Sequence, residues 1–238
     1  PASGDHVWEI GPGLGALTQL LLALPIQLTG FEIDRTLQPH LEELFAGKPN
    51  GHLEWGDFLK ARHDLLRPTN DPLVVCGNLP YSSGTAMVRL LLEELFPAPK
   101  RMVFLLQKEM VDKATAQPNT EAFSFFSVVV QLFSEAKPGR KFSPASFYPN
   151  PKISSRLLLL KPYSLSEEER RQRQTAVRLA SVVLGQRRKM ALNLLKRTWP
   201  RFASEFDSRY EKLGLSPTAR AETFSPEIFL RLGENLPL

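Results

Sequence analysis

Cys76 is the only cysteine in the chain, so an internal disulfide is excluded and a reducing compartment is expected. Histidine is scarce as well. His6, His40, His52 and His63 share no metal-ligand spacing with one another or with Cys76, and no metal is expected. No apolar run approaches the ~20 residues that a membrane helix requires, and no basic-then-apolar segment opens the sequence. A cytoplasmic protein without membrane contact is therefore expected, and a monomer is its expected state. Neither an internal repeat nor a low-complexity tract is evident.

Acidic residues are missing from one stretch in particular. Residues 170–201 hold ten Lys and Arg and no Asp or Glu. Over residues 1–162 the charges balance, 16 basic against 16 acidic, whereas residues 163–238 hold 14 against 9. All of the net charge of +5 thus lies in the last third. Such a run is either a solvated helix face or a footprint for phosphates, whose affinity would fall steeply with salt. The 42% hydrophobic and 23% charged composition is otherwise that of an ordinary globular protein. Two domains are expected: an α/β domain over residues 1–162 and a small basic helical domain over residues 163–238.

The α/β domain reads as strands that each deliver a polar residue. Residues 6–10 form a short apolar run that enters E-I-G-P-G-L-G at residues 9–15, followed by a helix-forming stretch. Strand, glycine turn and helix together present backbone N–H groups to a polar ligand. The third glycine follows the second by two residues, not the three of the dinucleotide fingerprint, which points to a nucleoside with a short tail. A second strand over residues 26–31 ends at Glu32, Ile33 and Asp34, and Glu32 lies where an acidic side chain accepts from ribose hydroxyls. Asp34 fits better as a helix cap. A third strand over residues 52–55 delivers Asp57 and Phe58, an acceptor for an adenine amino group beside an aromatic ring. The fourth, residues 73–77, is apolar throughout, as in a central parallel strand, and runs into Asn78-Leu79-Pro80-Tyr81. Ligands of open α/β sheets sit at the carboxyl ends of strands, so Gly11, Glu32, Asp57 and Asn78 belong on one rim. A fifth strand over residues 101–106, with the runs at 126–133 and 155–160, would complete the sheet. Beyond it, Ser166 and Glu169 form a capping box, Gly185 ends a helix, and residues 186–189 begin another with Met190, Leu194 and Leu195 inward.

The N-L-P-Y stretch suits one reaction. An adenine amino group is a poor nucleophile because its lone pair is delocalised, so a catalyst must hold it as the methyl arrives. The Asn78 side-chain oxygen and a backbone carbonyl near Leu79 or Pro80 would each take one amino hydrogen. Pro80 offers no competing N–H and biases Leu79 towards an extended backbone. Positioning at about 3–3.5 Å is the main requirement, and no strong base is needed. A base extruded from single-stranded or loop nucleic acid would stack between Tyr81 and Phe147, the latter in a proline-stiffened loop over residues 142–152.

With these residues in place, the chain resembles the small-subunit ribosomal RNA adenine dimethyltransferases, the KsgA/RsmA family. E-I-G-P-G-L-G, N-L-P-Y, L-Q-K-E at 106–109, F-Y-P-N-P-K at 147–152, Q-R-R-K at 186–189 and R-A-E at 220–222 fall in family order across the whole chain. The resemblance implies a class I Rossmann-like methyltransferase with a mostly parallel seven-stranded sheet and a small C-terminal helical domain. It implies S-adenosylmethionine as donor, S-adenosylhomocysteine as product, and four methyls on two adjacent adenosines of the 3′-terminal hairpin loop in an immature small-subunit particle. The cofactor-binding residues would be Glu9, Gly11, Gly13, Glu32, Ile33, Asp57, Phe58 and Asn78. Gly11 would lie against the donor's methionine part, Glu32 would hold its ribose and Asp57 its adenine. Asn78, Leu79, Pro80, Tyr81 and Phe147 would be catalytic, and Lys152, Arg187, Arg188 and Lys189 would bind RNA. The family's basic Q-N-F-L segment would precede Pro1. Residues 123–126 are more aromatic than the family's tyrosine-glycine-arginine stretch.

Two rivals share parts of this pattern. A large-subunit RNA adenine methyltransferase of the antibiotic-resistance type has the same N-[LI]-P-Y logic, and a mainly non-catalytic assembly factor would explain the basic run. The G-P-G-L-G, F-Y-P-N-P-K and Q-R-R-K motifs favour the small-subunit enzyme.

Overall fold

The computed structural model describes residues 1–61, 72–147, 150 and 152–237. His63, Tyr148, Pro149 and Pro151, all named above, lie outside the described residues.

One compact unit comprises Pro1–Val111 and Ala136–Pro162. Its sheet has seven strands in the order β3-β2-β1-β4-β5-β7-β6. These are β1 (His6–Ile10), β2 (Gln27–Glu32), β3 (Gly51–Trp55), β4 (Leu73–Asn78), β5 (Arg101–Gln107), β6 (Ser134–Phe142) and β7 (Ser155–Pro162). The first five run parallel, and β7 is antiparallel to β5. From β1 the chain winds outward through β2 and β3, then returns to the other side of β1 for β4 and β5. The strand order therefore reverses between β1 and β4, the place where such sheets leave a crevice at their carboxyl ends.

The two central strands are drawn together by composition. Gly77 is paired with Ile10 across β1 and β4, and a Cβ on Gly77 would collide with the Ile10 carbonyl oxygen. One sheet face packs Val7, Leu28 and Val74 against Leu21, Leu22 and Ile26, with Leu21 and Leu22 from helix α1 (Ala16–Leu22). The other buries Trp8, Phe31 and Phe58 edge-on, with ring centroids 5.0–6.4 Å apart, pairs that contribute roughly 0.5–1.5 kcal/mol each beyond their buried area. Helix α2 (Gln38–Phe45) follows β2, and helix α3 (Gly84–Glu93) follows the N-L-P-Y stretch. A short helix α4 (Lys108–Ala114) leads out of β5.

The second unit is Asp112–Glu135 with Tyr163–Leu238. It holds helices α5 (Phe125–Phe133), α6 (Glu167–Leu184), α7 (Ala191–Thr198), α8 (Ala203–Lys212) and α9 (Pro226–Gly233). Residues 112–135 thus belong with the helices rather than with the sheet, a difference from the division at residue 162. The cause is α5, which packs on α6 and α9. Its sequence FFSVVVQLF reads as a strand because it is β-branched and apolar, yet it is helical and buried nearly all round. A reciprocal cap opens it, with the Ser124 N–H donating to Ser127 Oγ at 2.9 Å, and a wholly apolar run cannot be assigned by periodicity alone. The last strand is instead β6, whose polar sequence SEAKPGRKF gave no strand signal. The Ser166–Glu169 capping box opens α6 and Gly185 ends it. Residues 186–189 form a turn, not a helix; Met190 bridges to Arg220 and is 40% exposed, so it does not point inward. Leu194 and Leu195 are buried as expected.

Candidate functional site

The rim at the carboxyl ends of β1 to β4 is built from tight turns. Gly11, Gly13 and Gly15 all have positive φ, at 70°, 59° and 77°, a left-handed run that side chains resist. The loop is held from below and from the side. The Glu9 carboxylate, buried at the end of β1, accepts from Thr18 Oγ1 at 2.7 Å, which ties the strand to α1 across the loop. Glu32 Oε2 accepts from the Gly13 N–H at 3.1 Å, while its Oε1 takes the N–H groups of Ile33 and Asp34 at 2.8 and 2.9 Å. Burial, reinforced by the Glu32 charge and opposed by the Thr18 bond, pushes the Glu9 carboxyl up to about 7. Thr18 is fully buried and was not singled out from sequence; a lone hydroxyl inside the apolar helix stretch ALTQLLL was the available signal.

Asn78 ends β4 beside this loop. Its backbone oxygen lies 3.7 Å from the position a Cβ on Gly11 would occupy. Its side chain is exposed and makes no hydrogen bond among the described residues. Leu79 is buried and donates its N–H to the Leu105 carbonyl at 3.1 Å. The Pro80 carbonyl accepts from Ser83 and Gly84 at the start of α3. Tyr81 is 44% exposed, and its hydroxyl meets Ser155 Oγ at 3.2 Å. That bond fixes the ring at the start of β7, a contact sequence reading did not anticipate.

The remaining rim residues are placed as follows. Ile33 is 65% exposed, an apolar side chain left open at the end of β2. Asp34 caps the following turn through the Thr36 N–H at 2.9 Å, the role the sequence assigned it. Asp57 accepts from the Leu59 N–H at 3.0 Å and so caps its own turn. The Phe58 ring is not at the rim: it is 3% exposed and belongs to the core cluster with Trp8 and Phe31. Phe147 is half-buried, and its ring meets Phe142 edge-on at 6.4 Å. Asn78 also borders an apolar cavity of about 710 Å³ with Val74, Cys76, Val103 and Leu105. Gly11, Glu32 and Asp57 do not line that cavity; they stand at or just after the carboxyl ends of β1, β2 and β3, as Asn78 does at the end of β4. Within the cavity wall, burial and the Glu9 charge push the Cys76 thiol up to about 12.

The basic run of the helical unit is largely engaged. Arg170 lies over Phe133, Arg171 pairs with Glu168, and Arg173 donates to the Leu132 carbonyl. Lys196 pairs with Asp207, and Arg201 donates to the Pro237 carbonyl. Arg187 meets Glu222 at 3.4 Å, so the Q-R-R-K and R-A-E motifs are joined. Arg178, Arg188, Lys189 and Arg197 are exposed and have no such partner among the described residues. Lys152, in the sheet unit, is exposed before β7. Among the described residues no three His, Cys, Asp or Glu side chains are grouped to hold a metal ion, and no helix is long and apolar enough to cross a membrane.

Comparison with known proteins places this geometry. Residues 1–235 match the model of the family described as ribosomal RNA adenine dimethylase. The chain is 35% identical over 236 residues to the ribosomal RNA small subunit methyltransferase A of Acinetobacter baylyi, covering 99% of this chain and 84% of that protein. Among solved structures, a dimethyladenosine transferase from Plasmodium falciparum has the same fold, with a TM-score of 0.79 at 23% identity over 97% of this chain and 89% of that one. The 23S rRNA methyltransferase ErmE gives a TM-score of 0.67 at 26% identity, over 97% and 90% of the two chains. A match that runs nearly end to end, at this identity, makes the chain a member of the ribosomal RNA adenine dimethylase family.

Proposed function

We propose that the chain dimethylates the 6-amino groups of two adjacent adenosines in the 3′-terminal hairpin loop of small-subunit ribosomal RNA, acting as a cytoplasmic monomer on an immature particle. The observation that carries this reading is Asn78, whose backbone oxygen lies beside Gly11 where the strand order reverses and whose exposed side chain makes no hydrogen bond among the described residues. S-adenosylmethionine supplies an electrophilic methyl when bound. The left-handed glycine loop, Glu32 and the open Ile33 side chain suit a nucleoside with a short polar tail: Glu9, Gly11 and Gly13 on the tail side, Glu32 and Ile33 at the ribose, and Asp57 with the backbone of Phe58 at the adenine.

Asn78 Oδ1 and the Leu79 carbonyl each accept one hydrogen of the target amino group, which draws its lone pair out of the ring and towards the methyl. Pro80 keeps this turn free of a competing N–H. Tyr81, anchored through Ser155, stacks on the target base, and Phe147 closes on its other face. Once alkylated, the nitrogen would pass its proton to solvent water, so the site needs no strong base. Lys152, Arg188 and Lys189 meet the RNA backbone. The 35% identity to a protein named for the small subunit, against 26% to one named for 23S RNA, supports the small-subunit substrate.

The test is Asn78→Ala. Methyl transfer to immature small subunits is expected to fall by at least about 100-fold, the scale of losing a transition-state acceptor, while particle binding persists. Retained activity would refute the amine clamp. Methylation of protein-free large-subunit RNA alone would overturn the substrate assignment.

A further inference from the structure

The balanced charge of residues 1–162 is an average of two opposite ends. Within the sheet unit, residues 1–111 hold nine Lys and Arg against thirteen Asp and Glu, while residues 136–162 hold six Lys and Arg and no acid. At the two edges of the sheet the charge differs in sign. Glu32, Glu54 and Asp57 belong to β2, β3 and the turn after β3, at one edge; the six cations belong to β6, β7 and their connection, at the other.

Along β6, Arg140 and Lys141 are exposed, face opposite sides of the strand, and have no acidic partner among the described residues. Lys161 on β7 and Lys152 before it are likewise exposed. Arg156 serves the fold, donating from Nε to the Gly139 carbonyl at 3.1 Å and so tying β7 to β6. The Arg140 guanidinium lies 5.2 Å from the centre of the Phe142 ring, and Phe142 is edge-on to Phe147. Stacking of this kind holds the guanidinium in place and leaves its N–H fork outward.

Edge strands use lysine and proline to discourage pairing with other chains, and Pro138 with Lys141 serves that end. It does not account for Lys161, because β7 is an interior strand. Nor does it account for an aromatic platform beneath an arginine. We propose that the β6–β7 edge is a docking surface for the phosphate backbone of the substrate RNA, separate from the basic residues of the helical unit. It grips the strand next to the target loop while the acidic half of the sheet is left to the cationic donor. This rests on the RNA substrate proposed above.

The full chain carrying Arg140→Gln and Lys141→Gln tests it, with immature small-subunit particles as the probe and S-adenosylhomocysteine titration to check the donor site. The RNA KM is expected to rise about tenfold with little change in kcat. The slope of log affinity against log salt should fall by about 1.4–1.8, near 0.7–0.9 per phosphate contact. Arg140→Lys with Lys141→Arg should keep the slope. An unchanged KM and slope in the glutamine variant, with normal activity in the parent, would overturn the edge proposal alone. Self-association of the glutamine variant with unchanged RNA binding would assign the charges to edge protection and overturn it too. A parent chain that neither binds nor methylates immature small-subunit particles would overturn both this proposal and the reading beneath it.

Discussion

The Asn78 carbonyl oxygen lies 3.7 Å from where a Cβ on Gly11 would stand, so the tips of β1 and β4 meet at the reversal of strand order. That separation is an ordinary contact, and the cost of a side chain at Gly11 comes from its φ of 70°. Gly11→Ala is expected to lose about 1–2 kcal/mol of stability. As the loop relaxes away from Asn78, the affinity for S-adenosylhomocysteine should fall at least about tenfold. Calorimetric titration alongside denaturant unfolding separates the two effects, and a stable variant with unaltered affinity would detach Gly11 from the donor site.

Glu9 makes the stability of the unliganded chain depend on pH. Its carboxyl rises from 4.5 to about 7 on folding, through burial first and the Glu32 charge second. The folded state therefore holds a proton that the unfolded state has released between these values, and stability falls as pH rises through that window, then levels off above it. The loss is on the order of 3 kcal/mol. Glu9→Gln keeps an acceptor for Thr18 and removes the titration, so its stability should be nearly flat from pH 5 to 8 where the parent declines. Parallel denaturation profiles would show that Glu9 stays ionised.

Much of the sheet was legible because β1, β2, β4 and β5 each hold an apolar stretch that stops at a polar or glycine residue, and that stop is the rim; β3, with the mixed sequence GHLEW, was legible from the Gly56-Asp57 that follows it. Gly11, Glu32 and Asn78 could be placed from sequence for the same reason: a strand end is a local signal. What failed was set by tertiary surroundings. The apolar run of α5 has the composition of a strand and is helical among other helices, while β6 has the composition of a loop and is held by β7. Phe58 looked like a platform for a ligand because the residues beside it are polar, yet Trp8 and Phe31 on neighbouring strands draw its ring inward. The Thr18–Glu9, Tyr81–Ser155 and Arg187–Glu222 pairs join residues 9, 74 and 35 positions apart, and no local pattern announces them.

Tyr210 exposes a different kind of tension, in the helical unit. It is 2% exposed, packs edge-on against Phe224 at 6.0 Å, and its hydroxyl is buried without a hydrogen-bond partner among the described residues. Burial pushes its phenol pKa upward. An unsatisfied buried hydroxyl costs about 1–3 kcal/mol, so Tyr210→Phe is expected to be neutral or to stabilise by up to about 1 kcal/mol. A loss above that size in thermal or denaturant unfolding would mean that the hydroxyl has a partner, such as a bound water.

The three basic residues of Q-R-R-K should not contribute alike to RNA binding. Arg187 is half-buried and paired with Glu222 at 3.4 Å, so a phosphate would have to compete with a carboxylate for it. Arg188 and Lys189 are exposed in the same turn without such a partner. Each phosphate contact contributes about 0.7–0.9 to the salt slope of RNA affinity. Arg188→Gln with Lys189→Gln is therefore expected to lower the slope by about 1.4–1.8 and leave unfolding unchanged. Arg187→Gln should leave the slope within about 0.3 and instead loosen the turn, since the Met190 bridge to Arg220 sits beside the Glu222 pair. Salt titrations of particle binding for the two variants decide the point. An equal fall in slope for both would mean that Arg187 releases Glu222 when RNA arrives.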